Sequence, residues 1–151
     1  MKGFTLIEMI VVITIIAVLS SISFLSYSTV QRNARDTKRQ SDLKVIQSAL
    51  EQYRADQSYY PLTLSFDSPL TSPTGSKIYL NRIPNDPVSV VSYDYEPYPV
   101  GCTNASAAAN CSGYCLYAKV ENDSTKNTRP SFCPPATHGP DAQYNYTVTP
   151  L

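Results

Sequence analysis

From Phe4 to Leu25 the chain reads FTLIEMIVVITIIAVLSSISFL, with one charged residue, Glu8, and neither glycine nor proline. At 1.5 Å per residue such a helix is about 33 Å long, enough to cross the hydrocarbon of a bilayer. The run predicts a transmembrane and assembly segment over residues 4–28. A secretory signal peptide has a shorter apolar region, about 7 to 15 residues, ending at a small-residue cleavage site. Here the helical pattern continues past the apolar part. An isolated carboxylate inside such a segment costs a few kcal/mol unless it finds a partner, so Glu8 demands an explanation.

The rest of the chain has another character: the prolines, the cysteines and the tyrosines all lie beyond residue 25. At 151 residues there is room for one modest globular domain in addition to the apolar segment. Twelve Lys and Arg balance twelve Asp and Glu, so no overall field draws the chain to nucleic acid or to an anionic surface. The chain reads as an apolar rod, 4–28, followed by a polar head, 29–151.

Three residues precede the run, completing the string MKGFTLIE. A short basic leader, then Gly3, Phe4, Thr5, Leu6, Ile7 and Glu8, resembles the processing signature of type IV prepilins and of the pseudopilins of type II secretion. The resemblance implies that a membrane aspartyl peptidase, the prepilin peptidase, cleaves after Gly3 and N-methylates Phe4, so that residues 1–3 are a leader. It implies a structural subunit, not an enzyme; this chain's own residues give no reason to expect a cofactor or a metal. Such a subunit is stored in the cytoplasmic (inner) membrane as a single-pass precursor with its head outside. A cytoplasmic ATPase and a membrane platform protein then assemble it into a homo-oligomeric helical filament on the cell surface. Whether that filament is a pilus or a secretion pseudopilus stays open.

The spacing has its own physical sense. Phe4 and Glu8 stand four apart and share one helix face, so a freed amine at Phe4 is the missing cation for Glu8. Paired within a subunit or between staggered neighbours, the two groups specify axial register; desolvation offsets part of the attraction. Two departures from the family pattern stand out. Many members have proline where this chain has Leu25, and the neighbouring Ser20, Ser21, Ser23 and Ser26 leave room for a local bend. Arg32, Arg35, Lys38 and Arg39 follow the span while Lys2 alone precedes it, against the positive-inside preference. The side on which the peptidase acts still places the head outside.

Apolar positions recur at helical spacing to about Gln57: Leu43, Ile46, Leu50 and Tyr53 form a stripe with Ala49 beside it. The head is expected to pack on this stripe, with Lys44, Gln47, Glu51 and Arg54 solvated. The helix ends in DQSYYP, since the residue before proline is biased away from helix. The basic residues between Arg32 and Lys44 are interleaved with Asp36 and Asp42 and have no aromatic platform between them. They read as a solvated or subunit-pairing face rather than a nucleic-acid site.

Residues 62–92 read as loop with short turns rather than long regular elements. Within them YLNRIPNDP, Tyr79 to Pro87, resembles the segment before the sheet in major pseudopilins and reads as a turn. VVSYDYEPYP and GYCLYAKVEN read as a hairpin. The expectation is an α+β, type IV pilin-like fold: a long N-terminal helix, its amphipathic half at 29–57 packed on a small antiparallel sheet, with a loop-rich C-terminal region. Cys102, Cys111, Cys115 and Cys133 predict two disulfides in an oxidising compartment, with zinc a weaker rival for lack of a second close pair. Of three pairings, Cys102 with Cys111 closes the hairpin loop and Cys115 with Cys133 ties the tail to the sheet. Asn104, Asn110, Asn122 and Asn145 head N-x-S/T triplets and are candidate glycan acceptors. No nucleophile and base, phosphate loop or carboxylate pair can be assembled. The C-terminal acidic loop with which major pseudopilins bind calcium has no counterpart here. A second functional reading is a monomeric, membrane-anchored binding module whose tyrosine-rich head recognises surface ligands such as glycans.

Overall fold

The computed structural model describes residues 3–88, 91–133 and 144–151, with backbone alone for residues 22–26. The chain divides into two compact units, Met1–Ala34 and Arg35–Leu151. One helix, α1, runs over Leu6–Gln57.

In the first unit α1 is uninterrupted through residues 22–26, so the serines there do not break it. Two of its hydroxyls are satisfied locally: Thr14 Oγ1 donates to the Val11 carbonyl at 2.8 Å and Ser21 Oγ to that of Val18 at 2.7 Å. Such back-bonding lets polar side chains sit in an apolar stretch without unpaired donors. Leu6, Ile7, Ile13, Val18 and Leu19 are all exposed. Among the described residues no helix is long and apolar enough to cross a membrane. The described apolar side chains run from Leu6 to Ser21, about 24 Å at 1.5 Å per residue, short of the ~30 Å a span needs. Completing the span expected at 4–28 requires residues 22–26, whose side chains lie outside the described residues.

The second unit is α+β, as its sequence predicts. Leu43, Ile46, Ala49, Leu50 and Tyr53 of α1 are buried and form one core with Tyr60, Leu70, Ile83, Tyr93, Tyr95, Tyr114 and Leu116. The helix ends where expected. Ser58 takes a left-handed conformation (φ 68°), and its N–H closes the last turn on the Arg54 carbonyl at 2.7 Å.

Three strands form the main sheet: β3 (Asp94–Tyr98), β4 (Gly113–Ala118) and β5 (Tyr146–Val148), antiparallel in the order β3-β4-β5. β3 and β4 are the predicted hairpin, with Asp94 opposite Tyr117 and Tyr98 opposite Gly113. All six residues of β4 are buried, because both its faces are covered. Tyr114, Leu116 and Ala118 join the core that includes the α1 stripe, and Cys115 and Tyr117 pack with Cys133 and Tyr144. Cys102 is bonded to Cys111, and Cys115 to Cys133.

Three features correct the sequence reading. Residues 62–92 are not all loop: β1 (Leu70–Thr71) and β2 (Ile78–Leu80) form a two-stranded antiparallel sheet. Gly75 turns between them at φ 71°, a value that favours glycine. The C-terminal region adds β5 to the sheet. Gln47 and Glu51, expected in solvent, are half-buried: Gln47 Nε2 donates to the Thr149 carbonyl at 2.7 Å, and Glu51 accepts from the Tyr60 hydroxyl at 2.9 Å.

Candidate functional site

Gly3, Phe4 and Thr5 precede α1 in non-helical backbone, and Phe4 is 80% exposed. The Gly3–Phe4 bond, the predicted cleavage site, is therefore outside the helix. Thr5 is the helix cap. The Glu8 carboxylate accepts from the Thr5 N–H at 2.9 Å and from its hydroxyl at 2.8 Å, while the Glu8 N–H reaches Thr5 Oγ1 at 3.4 Å. This reciprocal pattern is a capping box. Sequence reasoning missed Thr5, although its T-x-x-E spacing is the signature of the motif. Glu8 thus has an intramolecular partner in the chain that still carries its leader. Phe4, Ile7, Glu8, Val11 and Val12 line one shallow groove along this face.

In the second unit Lys38, Lys44 and Arg54 of α1 are exposed, as expected, but Arg35 and Arg39 are not part of a solvated face. Arg39 is a hub with its side chain 4% exposed. Its Nε and Nη2 donate to the two carboxylate oxygens of Asp86 at 2.7 and 3.0 Å, and its Nη1 to Asp36 at 2.8 Å and Glu121 at 3.0 Å. Arg35 grips Glu121 with two bonds of 2.6 Å. Asp36, fully enclosed, also accepts from the backbone N–H groups of Glu121 and Asn122 at 2.9 and 2.8 Å. Asp42 accepts from the Tyr93 hydroxyl at 3.1 Å.

Burial opposes the charge on Arg39, but the hydrogen bonds from Asp86, Glu121 and Asp36 outweigh it and raise its pKa. The Arg35 and Arg39 bonds hold the Glu121 carboxyl down at about 2. Because the folded value is depressed from 4.5, this contribution to stability is complete above about pH 4.5 and is lost as pH falls toward 2. The urea midpoint of the wild type should fall as pH drops through that window, and Glu121→Gln should flatten the slope there. An unchanged slope in the variant would assign the acid sensitivity to another group.

A signal for this network was present: stepping backward from Tyr53, Leu50, Ile46 and Leu43 by threes and fours reaches Arg39 and Asp36. They occupy the core-facing stripe.

The other predicted residues have structural work. Asn104 Nδ2 donates to the Tyr60 carbonyl at 2.9 Å, and its Oδ1 accepts from Cys111 N–H at 2.7 Å. Asn145 bonds both backbone groups of Val120, at 2.6 and 2.8 Å. These two asparagines bridge backbone groups within the fold. Asn122 Oδ1 accepts from Ser124 N–H at 3.1 Å, and Asn110 is half-buried beside Cys111. Tyr53, Tyr60, Tyr93, Tyr95, Tyr114 and Tyr117 are buried. Half of the tyrosine content that prompted the binding-module reading is therefore core, while Tyr59, Tyr79, Tyr144 and Tyr146 are half-buried and Tyr98 is exposed.

A family model described as the prokaryotic N-terminal methylation motif matches residues 1–24. This is the leader of type IV pilins and pseudopilins. Comparison with curated proteins and with solved structures gives no match.

Proposed function

We propose that the chain is the structural subunit of a type IV pilus or a type II secretion-like filament, cleaved after Gly3, N-methylated at Phe4 and assembled through packing of residues 4–28. The methylation motif on residues 1–24 carries this reading. Two physical features support it. Phe4, Leu6, Ile7, Ile13, Val18 and Leu19 are exposed in the single chain, and a contiguous apolar surface of this kind needs lipid or another apolar partner. The membrane covers it before assembly, and the same segment of neighbouring subunits covers it afterwards. Glu8 then meets the new amine at Phe4, one residue before the Thr5 N–H that it holds in the precursor.

N-terminal sequencing and intact mass of sheared surface filaments test the proposal. The expected result is a chain beginning at methylated Phe4 and containing no free thiol. Filaments built from chains that retain Met1, or surface material lacking this chain altogether, would sink it.

A further inference from the structure

Residues 35–42 of α1 read RDTKRQSD and contain no aliphatic or aromatic side chain, yet Asp36, Arg39 and Asp42 are buried. The bonds that hold this stretch to the rest of its unit are polar. They run from Arg35 to Glu121, from Asp36 to the Glu121 and Asn122 amides, from Arg39 to Asp86 and Glu121, and from Asp42 to Tyr93. The following stretch, from Leu43 to Tyr53, is held mainly by apolar burial, with polar bonds of Gln47 and Glu51 at its margin.

These two modes of attachment fail differently. Apolar burial is non-directional and scales with area. A buried ion network depends on complete geometry, and desolvation cancels much of its attraction, so its net hold is weak relative to its number of bonds. A cleft of about 480 Å³, whose lining includes Val88 and Val91 as well as Arg35, Arg39, Asp86 and Glu121, brings solvent to the Arg35 and Glu121 edge of this network.

We propose that residues 35–42 form a releasable clasp. The network opens as a unit, freeing this part of α1 from Asp86 and from residues 121–125, while the Leu43–Tyr53 stripe and the β3-β4-β5 sheet stay packed. In the open state Asp36, Arg39 and Glu121 are hydrated. The clasp is a property of the single subunit and does not rest on the filament reading.

The Glu121 and Asn122 amides report it directly, because their acceptor is the Asp36 carboxylate. We would follow hydrogen exchange by NMR on the full chain in detergent micelles. Those two amides should exchange roughly 100-fold faster than the amides of β4, with little dependence on low urea, as local opening exposes little surface. Arg39→Gln keeps the Asp36 acceptor but removes the hub. In that variant the two amides should lose a further tenfold or so of protection, while β4 stays well protected. Equal rates and equal urea dependence for both sets in the wild type would overturn the proposal, because the network would then open only when the whole head unfolds. If Arg39→Gln does not fold, the wild-type comparison decides alone.

Discussion

Filament yield should collapse in both Glu8→Ala and Glu8→Gln while the subunit accumulates in the membrane with a normally folded head. The two substitutions separate two roles of one residue. Glu8 closes a capping box with Thr5, and loss of capping costs about 0.5–2 kcal/mol. Gln fills that position of the box as well as Glu does, so Glu8→Gln keeps the cap and loses only the charge. During assembly the Phe4 amine of the same or a neighbouring subunit would enter an apolar bundle without its counter-charge, at a cost of about 3–5 kcal/mol. Each 1.4 kcal/mol or so is tenfold in an equilibrium constant, so yield should drop at least a hundredfold or so for both variants. Glu8 and the core from Leu43 to Leu116 belong to different compact units, and distant sites act independently. The disulfides and protease resistance of the head should therefore be unchanged. Normal yield from Glu8→Gln with loss in Glu8→Ala would assign the defect to capping. Normal yield from both would show that amine-to-carboxylate pairing does not align these subunits.

Removing the Cys115–Cys133 bond should damage the head more than removing Cys102–Cys111. The two close loops of different length, with sequence separations of 18 and 9. Loop entropy alone assigns them roughly 3.2 and 2.7 kcal/mol. Packing widens the gap. Cys115 and Cys133, 0% and 3% exposed, are two of the three fully buried members of the small core on the second face of β4, so their loss also loosens Tyr117 and Tyr144. With a typical domain stable by only 5–15 kcal/mol or so, Cys115→Ser with Cys133→Ser should lower the urea midpoint markedly and expose Tyr117 to solvent. Cys102→Ser with Cys111→Ser should retain the Tyr117 environment. Equal midpoints for the two double variants would show that the second core adds nothing to the cross-link.

The parts of the fold that could be read from the sequence are those set by short-range pattern. The stripe Leu43, Ile46, Leu50 and Tyr53 has helical period, and DQSYYP carries its own stop. The β3 and β4 segments alternate around a cysteine-flanked loop. The methylation motif abuts its apolar run. Where pattern was weak, the reading failed for physical reasons. β1 and β2 are too short to show alternation, and their pairing rests on the Gly75 turn. β5 is three residues long, and its place beside β4 is set by long-range contacts such as the Asn145 bridge to Val120.

The sequence alone determined the apolar N-terminal segment, the placement of Glu8 four residues after Phe4, the long helix and the presence of a cysteine-tied β head. Each depends on residues within one or two turns or strands of one another, where backbone geometry converts spacing directly into a shared face. Helical spacing puts Asp36 and Arg39 on the core-facing stripe, but the tertiary structure alone decided what they hold. Their partners lie 47 and 85 residues away, at Asp86 and Glu121, and a charged residue on a core-facing stripe can be tolerated only if such partners arrive to replace its water. No local pattern can show that they do.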